Sequence, residues 1–184
     1  MIYESYPWKQ DLFKQKQLII KYNTAERLSK NDVATYTAIE KGIFYSAFII
    51  RKLIDCASKM SNEAVNYALK VGEIKPIRNI DLMHRWPEKN SHDWENERII
   101  TTKGKNVCNW LIHSYMFFLI YGEDECVEGF CVSSDYDRNK SLYRITLEEW
   151  FRYMDFIAMD DIISMNIHFS KEQKDYVFTR KKRG

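Results

Sequence analysis

Gly104–Tyr121, GKNVCNWLIHSYMFFLIY, is the stretch from which the rest of the chain is read. Its spacing predicts one helix whose second half is apolar almost all the way round, and helices of that kind are buried. At 3.6 residues per turn, Lys105, Asn106, Asn109 and His113 fall on one side. Met116 and Ile120 continue that side, and Val107, Leu111, Tyr115 and Phe118 lie largely opposite. A buried polar group without a partner costs about 1–3 kcal/mol, so Asn109 and His113 must find one. A face that mixes polar and apolar groups suits an interface or a cleft mouth. It therefore predicts self-association with Asn109 and His113 near the contact.

The sequence before this stretch reads as helical. Tyr6-Pro7-Trp8 opens a first helix with Leu12, Ile19 and Tyr22 on its stripe. Ser29 or Asn31 caps a long second helix over about residues 32–59. In that helix Ile39, Ile43, Ala47, Ile50 and Ile54 recur at the spacing of one core face. Arg51 and Asp55 lie one turn apart there and are expected to pair. Ser61 starts a shorter helix through Ala64, Val65, Ala68 and Leu69, ended by Gly72. Residues 73–96 read as a long loop anchored by aromatic residues, with His84 and His92 on the surface. Arg98–Thr102 reads as a short strand.

After Gly122 the pattern changes. Gly129–Ser134 and Ser141–Ile145 alternate as two strands around an Asp/Asn-rich turn. Thr146-Leu-Glu-Glu149 is a capping box opening a helix, with Glu149 expected to reach back to its first residue. Asn166–Phe169 and Tyr176–Thr179 read as two more strands, and Arg180–Arg183 as a frayed basic tail. The fold class is α+β, with a helical bundle over residues 1–121. A small antiparallel sheet with one packed helix follows over 122–184.

Composition narrows the function. Of 184 residues, 45% are hydrophobic and 15% aromatic, which is ample for a core, and the formal charge of +2 gives no global field for a polyanion. The longest apolar runs fall short of the ~20 residues of a membrane span, so no membrane is expected. Cys56, Cys108, Cys126 and Cys131 form no C-x-x-C pair, and no His spacing matches a metal site. MIYESYPWKQ does not read as a secretory signal, so a cytoplasmic protein with reduced thiols is expected. No Gly-rich phosphate loop or G-x-S-x-G elbow is present, and nothing points to a cofactor.

Imidazole suits proton transfer near neutrality, and an Asn one turn earlier can orient a substrate or the ring. Cys108-Asn-Trp-Leu-Ile-His-Ser-Tyr115 resembles the signature helix of the HEPN superfamily, helical-bundle proteins common in toxin–antitoxin, phage-defence and RNA-processing systems. Asn109, His113 and Tyr115 match its motif, while Cys108 stands where the motif has Arg. The resemblance implies metal-independent RNA cleavage at a composite site in a homodimer. His113 and Asn109 would be the catalytic pair, Tyr115 would support them, and Lys105 would supply phosphate-binding charge in place of the Arg. Cys cannot make the bidentate contact that Arg makes with phosphate. Arg51 or Arg98 could provide that charge from elsewhere in the fold.

Two other readings stand beside this one. The HEPN-like reading itself allows a degenerate, binding-only subunit; in the first alternative to it the protein is a non-catalytic structural or protein-interaction domain, with Asn109 and His113 bonded to the backbone of neighbouring helices. In the second the loop 73–96, with Trp86 and Trp94, is a surface for a ligand or a protein partner.

Overall fold

Pro7 sits in the first turn of α1 (Tyr6–Tyr22), where its missing N–H costs nothing. A single turn, α2 (Ala25–Leu28), leads to α3 (Val33–Asp55), which is capped by Asp32 rather than by Ser29 or Asn31. The Asp32 carboxylate accepts from the N–H of Ala34 over 3.0 Å. Ile39, Ile43, Ala47 and Ile50 are fully buried along α3, and Leu12 and Ile19 of α1 meet them. Gly42 permits that approach, since a Cβ there would stand 2.6 Å from Cγ1 of Ile19. The computed structural model describes residues 2–56 and 58–184, with Arg180 described for its backbone.

Beyond α3 the chain departs from the expected bundle. α4 (Asn62–Val65) is one turn long, and Ala68–Ile74 is a strand, β1. Gly72 therefore ends no helix. Leu69 and Val71 point inward at a period of two, and β1 bonds to a strand on each side. Helical spacing in Ala64, Val65, Ala68 and Leu69 was too short to outweigh that pairing. The loop after β1 is pinned by the buried Ile80, whose N–H donates to Asn139 Oδ1 over 2.7 Å, and by a bridge between Pro76 and His92. Trp86 is 63% exposed, with the neighbouring Arg85 guanidinium over its ring, while His92, expected on the surface, is 1% exposed.

The strand expected at Arg98–Thr102 forms as β2 (Arg98–Lys103) and pairs with β1, a partner the sequence did not suggest. α5 covers only Gly104–Ile112, and Ser114–Tyr121 forms β3, so Asn109 and His113 do not lie along one continuous buried helix. His113 is the C-cap residue, with φ −109° and ψ 29°, and its N–H donates to Asn109 O. SYMFFLIY is half aromatic, a composition that favours strands, and a continuous apolar run does not by itself separate a helix from a strand buried on both faces. Both faces of β3 are in fact covered. Phe117 and Leu119 meet the main core, while Met116, Phe118 and Ile120 meet Ile74, Ile80, Cys131 and Leu142. Tyr115 and Phe118 are half-buried rather than fully enclosed.

β4 (Val127–Ser134) and β5 (Leu142–Thr146) complete an antiparallel five-stranded sheet of order β2-β1-β5-β4-β3. β1, β2 and β3 all precede residue 122, so the helical part ends near Val65 and the expected boundary falls inside the β3–β4 hairpin. β2 and β3 are opposite edges, and α5 carries the chain from one to the other across the helical face of the sheet.

α6 (Leu147–Ala158) starts at Thr146, whose hydroxyl accepts from the N–H of Glu149 over 3.2 Å. The capping box is half made: Glu149 Oε1 accepts from the N–H of Lys70 over 2.9 Å and fastens α6 to β1. Trp150 and Tyr153 are fully buried between α6 and the sheet, each contributing on the order of 2–3 kcal/mol. β6 (Ile162–Ser170) and β7 (Asp175–Arg183) form a separate two-stranded ribbon, so the expected basic tail is ordered strand. None of the helices among the described residues is long and apolar enough to cross a membrane.

Candidate functional site

The end of α5 opens onto a cleft of about 680 Å³. Asn106, Asn109, Trp110 and His113 line it from α5, Arg51 from α3, and Ser134–Asp137 and Tyr143 from the opposite wall. The amphipathic stripe of α5 explains the arrangement. Val107, Cys108 and Leu111 are buried in the core, which turns Asn106, Asn109 and His113 outward.

Arg51 is the residue that organises the site. Its Nε donates to Asn109 Oδ1 over 2.7 Å, and its guanidinium pairs with the Asp55 carboxylate one turn along α3. Asp55 also receives Lys105 Nζ at 3.3 Å. Lys105, the phosphate ligand expected from the sequence, is thus engaged by Asp55 and is not among the residues lining the main cleft. Arg98 stands on the edge strand β2, beside Glu73, and does not line the cleft either. His113 is exposed and faces both the main cleft and a smaller hollow of about 220 Å³ that it shares with Arg51 and Asn109.

The floor is aromatic. Trp110 and Tyr143 stack with ring centroids 3.6 Å apart and planes at 4°. Burial holds the Tyr143 phenol above its ordinary range, with Ser141 opposing and the nearby Asp137 reinforcing the shift. The far wall is a turn fixed by its own bonds. Ser134 Oγ donates to Asp137 Oδ2 over 2.8 Å, Asp135 pairs with Arg138 at 3.2 Å, and the N–H of Asp135 donates to His113 O over 3.1 Å. The last bond ties the wall directly to the helix–strand junction. Tyr115 lies outside the cleft, under Arg138 at 4.6 Å from the ring centroid, and touches the site only through that wall.

Cys108, at the position of the motif Arg, is buried, and burial pushes its thiol far above the ordinary range. It offers the cleft neither charge nor a thiolate. Among the described residues, no three His, Cys, Asp or Glu side chains gather as a metal would require. Sequence reasoning named Arg51 as one source of charge but could not seat it. It missed the Trp110–Tyr143 floor, for which the sequence holds no local signal, since the two rings are brought together only by folding. No protein-family model matches this chain, and no curated protein or solved structure does.

Proposed function

We propose that the cleft binds single-stranded RNA and that His113 and Arg51 act together on a phosphodiester there without a metal ion. The observation that carries this reading is the 2.7 Å hydrogen bond from Arg51 Nε to Asn109 Oδ1, in a cleft that His113 also lines. It supplies the guanidinium that the signature stretch lacks at Cys108. Arg51 would hold the phosphate, in the charge-assisted manner that a neutral thiol cannot provide. His113 would take the proton from a ribose 2′-hydroxyl. The 2′-oxygen would then bond to phosphorus as the bond to the 5′-oxygen breaks; a water would give its proton to the leaving 5′-oxygen and the resulting hydroxide would take up the proton held by His113, leaving a 2′,3′-cyclic phosphate and a free 5′-hydroxyl. Asn109 orients Arg51, and Trp110 and Tyr143 form an apolar floor on which a base can rest. This is an HEPN-like reading of toxin or phage-defence type for a cytoplasmic protein, with a second copy completing the site.

The test is cleavage of single-stranded RNA by the purified protein in chelator, beside His113→Ala and Arg51→Ala. Loss of cleavage in both variants, by roughly a hundredfold or more, supports the reading. A second reading follows from the same bond, because Asn109 satisfied by Arg51 also serves as a structural tie between α3 and α5. If the wild type neither cleaves nor binds RNA, and Arg51→Ala lowers only the melting temperature, the structural reading replaces the first.

A further inference from the structure

The β6–β7 ribbon carries a surface that the cleft does not explain. Its strands alternate, so the cross-strand pairs Ile167↔Phe178 and Phe169↔Tyr176 share one face. In a sheet that face would be core, yet Ile167 is 51%, Phe169 52% and Tyr176 67% exposed. Phe169 and Tyr176 touch edge to face, with centroids 5.4 Å apart and planes at 73°, next to the turn that carries Lys171 and Lys174.

Charge decides what such a face can meet. Residues 162–184 hold six Lys and Arg against two acids, a net +4, in a chain whose total is +2, so the preceding residues carry −2. At the base of the ribbon Arg183 is neutralised by Asp160 at 3.7 Å, and Lys181 is buried near the same carboxylate. Lys171, Lys174 and Lys182 are exposed, and no ion pair engages them among the described residues. Face-to-face packing of two ribbons would bring two such positive charges together, which disfavours a second copy as the occupant. Exposed aromatic rings beside the exposed turn lysines Lys171 and Lys174, in a segment whose net charge stays positive after Glu172 and Asp175 of the same turn are counted, match a polyanion with open bases.

We propose that the ribbon is a binding arm for single-stranded nucleic acid, with bases stacked on Phe169 and Tyr176 and phosphates held by Lys171 and Lys174 of the adjoining turn. It rests on the reading of the cleft only for the class of ligand and uses none of its residues.

The experiment is fluorescence anisotropy of the full chain with a labelled 2′-O-methyl oligo-uridylate of about 20 nucleotides, long enough for more than one site. Such a strand lacks a free 2′-hydroxyl, so failure of cleavage at the cleft does not affect it. We expect the wild type to bind this strand. The double variant Phe169→Ala/Tyr176→Ala should weaken binding at least about tenfold. Lys171→Glu/Lys174→Glu should also weaken it and flatten the slope of log affinity against log salt by about 1.4, or about 0.7 per lost phosphate contact. All four positions are exposed, and a melting curve identical to wild type establishes that each variant folds. Binding unchanged in both double variants overturns the proposal. So does absence of binding by the wild type, or equally tight binding of a duplex. Loss of self-association in sedimentation, or of binding to phosphatidylserine vesicles, with oligonucleotide affinity intact, assigns the face to another partner and overturns it as well.

Discussion

Arg51 on α3 donates from Nε to Oδ1 of Asn109 on α5 over 2.7 Å, across 58 residues of sequence. The guanidinium is held on its other side by Asp55. A planar fork presents its donors to both partners in fixed directions, a geometry that the compact ammonium of lysine does not reproduce. We therefore expect Arg51→Lys to fold with a loss of about 1 kcal/mol or less, yet to lose RNA cleavage by at least tenfold. Thermal melting and cleavage in chelator, run on the same preparation, check both halves. A lysine variant with full activity would remove bidentate geometry from the account.

Asp160 is the second fixed point. Its carboxylate is fully enclosed and accepts from Ser61 Oγ at 2.5 Å and Ser61 N–H at 2.8 Å, while Lys9 donates to its backbone carbonyl. Asp160 also stands opposite Lys181, whose ammonium is pulled down by burial and raised in part by this carboxylate. Asp160→Asn leaves buried cations without a counter-charge and should cost about 2–4 kcal/mol. Calorimetry should show the melting temperature falling by roughly 2–4 °C for each kcal/mol. Asp161→Asn is the control, because the exposed Asp161 carboxylate bonds, among the described residues, the N–H of the next residue at 2.9 Å.

His92 gives the fold a pH dependence. Burial, with a smaller contribution from the Arg78 charge, lowers its pKa from 6.5 to about 4. Between those values the unfolded chain binds a proton that the folded chain refuses. Stability is therefore complete above about pH 6.5 and is lost as pH falls toward about 4, by at most about 1.4 kcal/mol per unit. Melting temperatures at pH 7 and pH 5 should differ less in His92→Gln than in wild type. Equal slopes would show that His92 protonates freely in the native loop.

The four cysteines are free and differ sharply in environment. Cys108 and Cys131 are buried, and burial drives both thiols upward, that of Cys131 to about 12. Cys56 and Cys126 are partly exposed. A disulfide reagent should label two thiols in the native protein and four in denaturant. Rapid native labelling of Cys108, identified by mass spectrometry, would mean that α5 detaches readily from the core.

Much of the fold was legible locally. Pro7, the isoleucine stripe of α3, the strands around residues 129–145 and Thr146 as an N-cap all follow from spacing and capping within a few residues. Those signals act over one or two turns, and the chain must satisfy them wherever it packs. The Arg51–Asp55 pair was legible for the same reason, being one helical turn apart.

What the tertiary structure decided is where apolar runs go and what meets what. SYMFFLIY is apolar at every period, so only pairing with β4 made it a strand, and that pairing ended α5 at Ile112 and turned His113 out to the cleft. Ala68–Ile74 became a strand because β2 and β5 flank it. Arg51 reached Asn109, and Trp110 reached Tyr143, through contacts between distant segments that no local periodicity encodes. The sequence by itself determined the helix stripes, the caps and the α+β class, because those depend on side-chain spacing along the chain. The cleft depends on α3, α5 and the β4–β5 turn arriving at one place, and that is fixed by burial of the shared core.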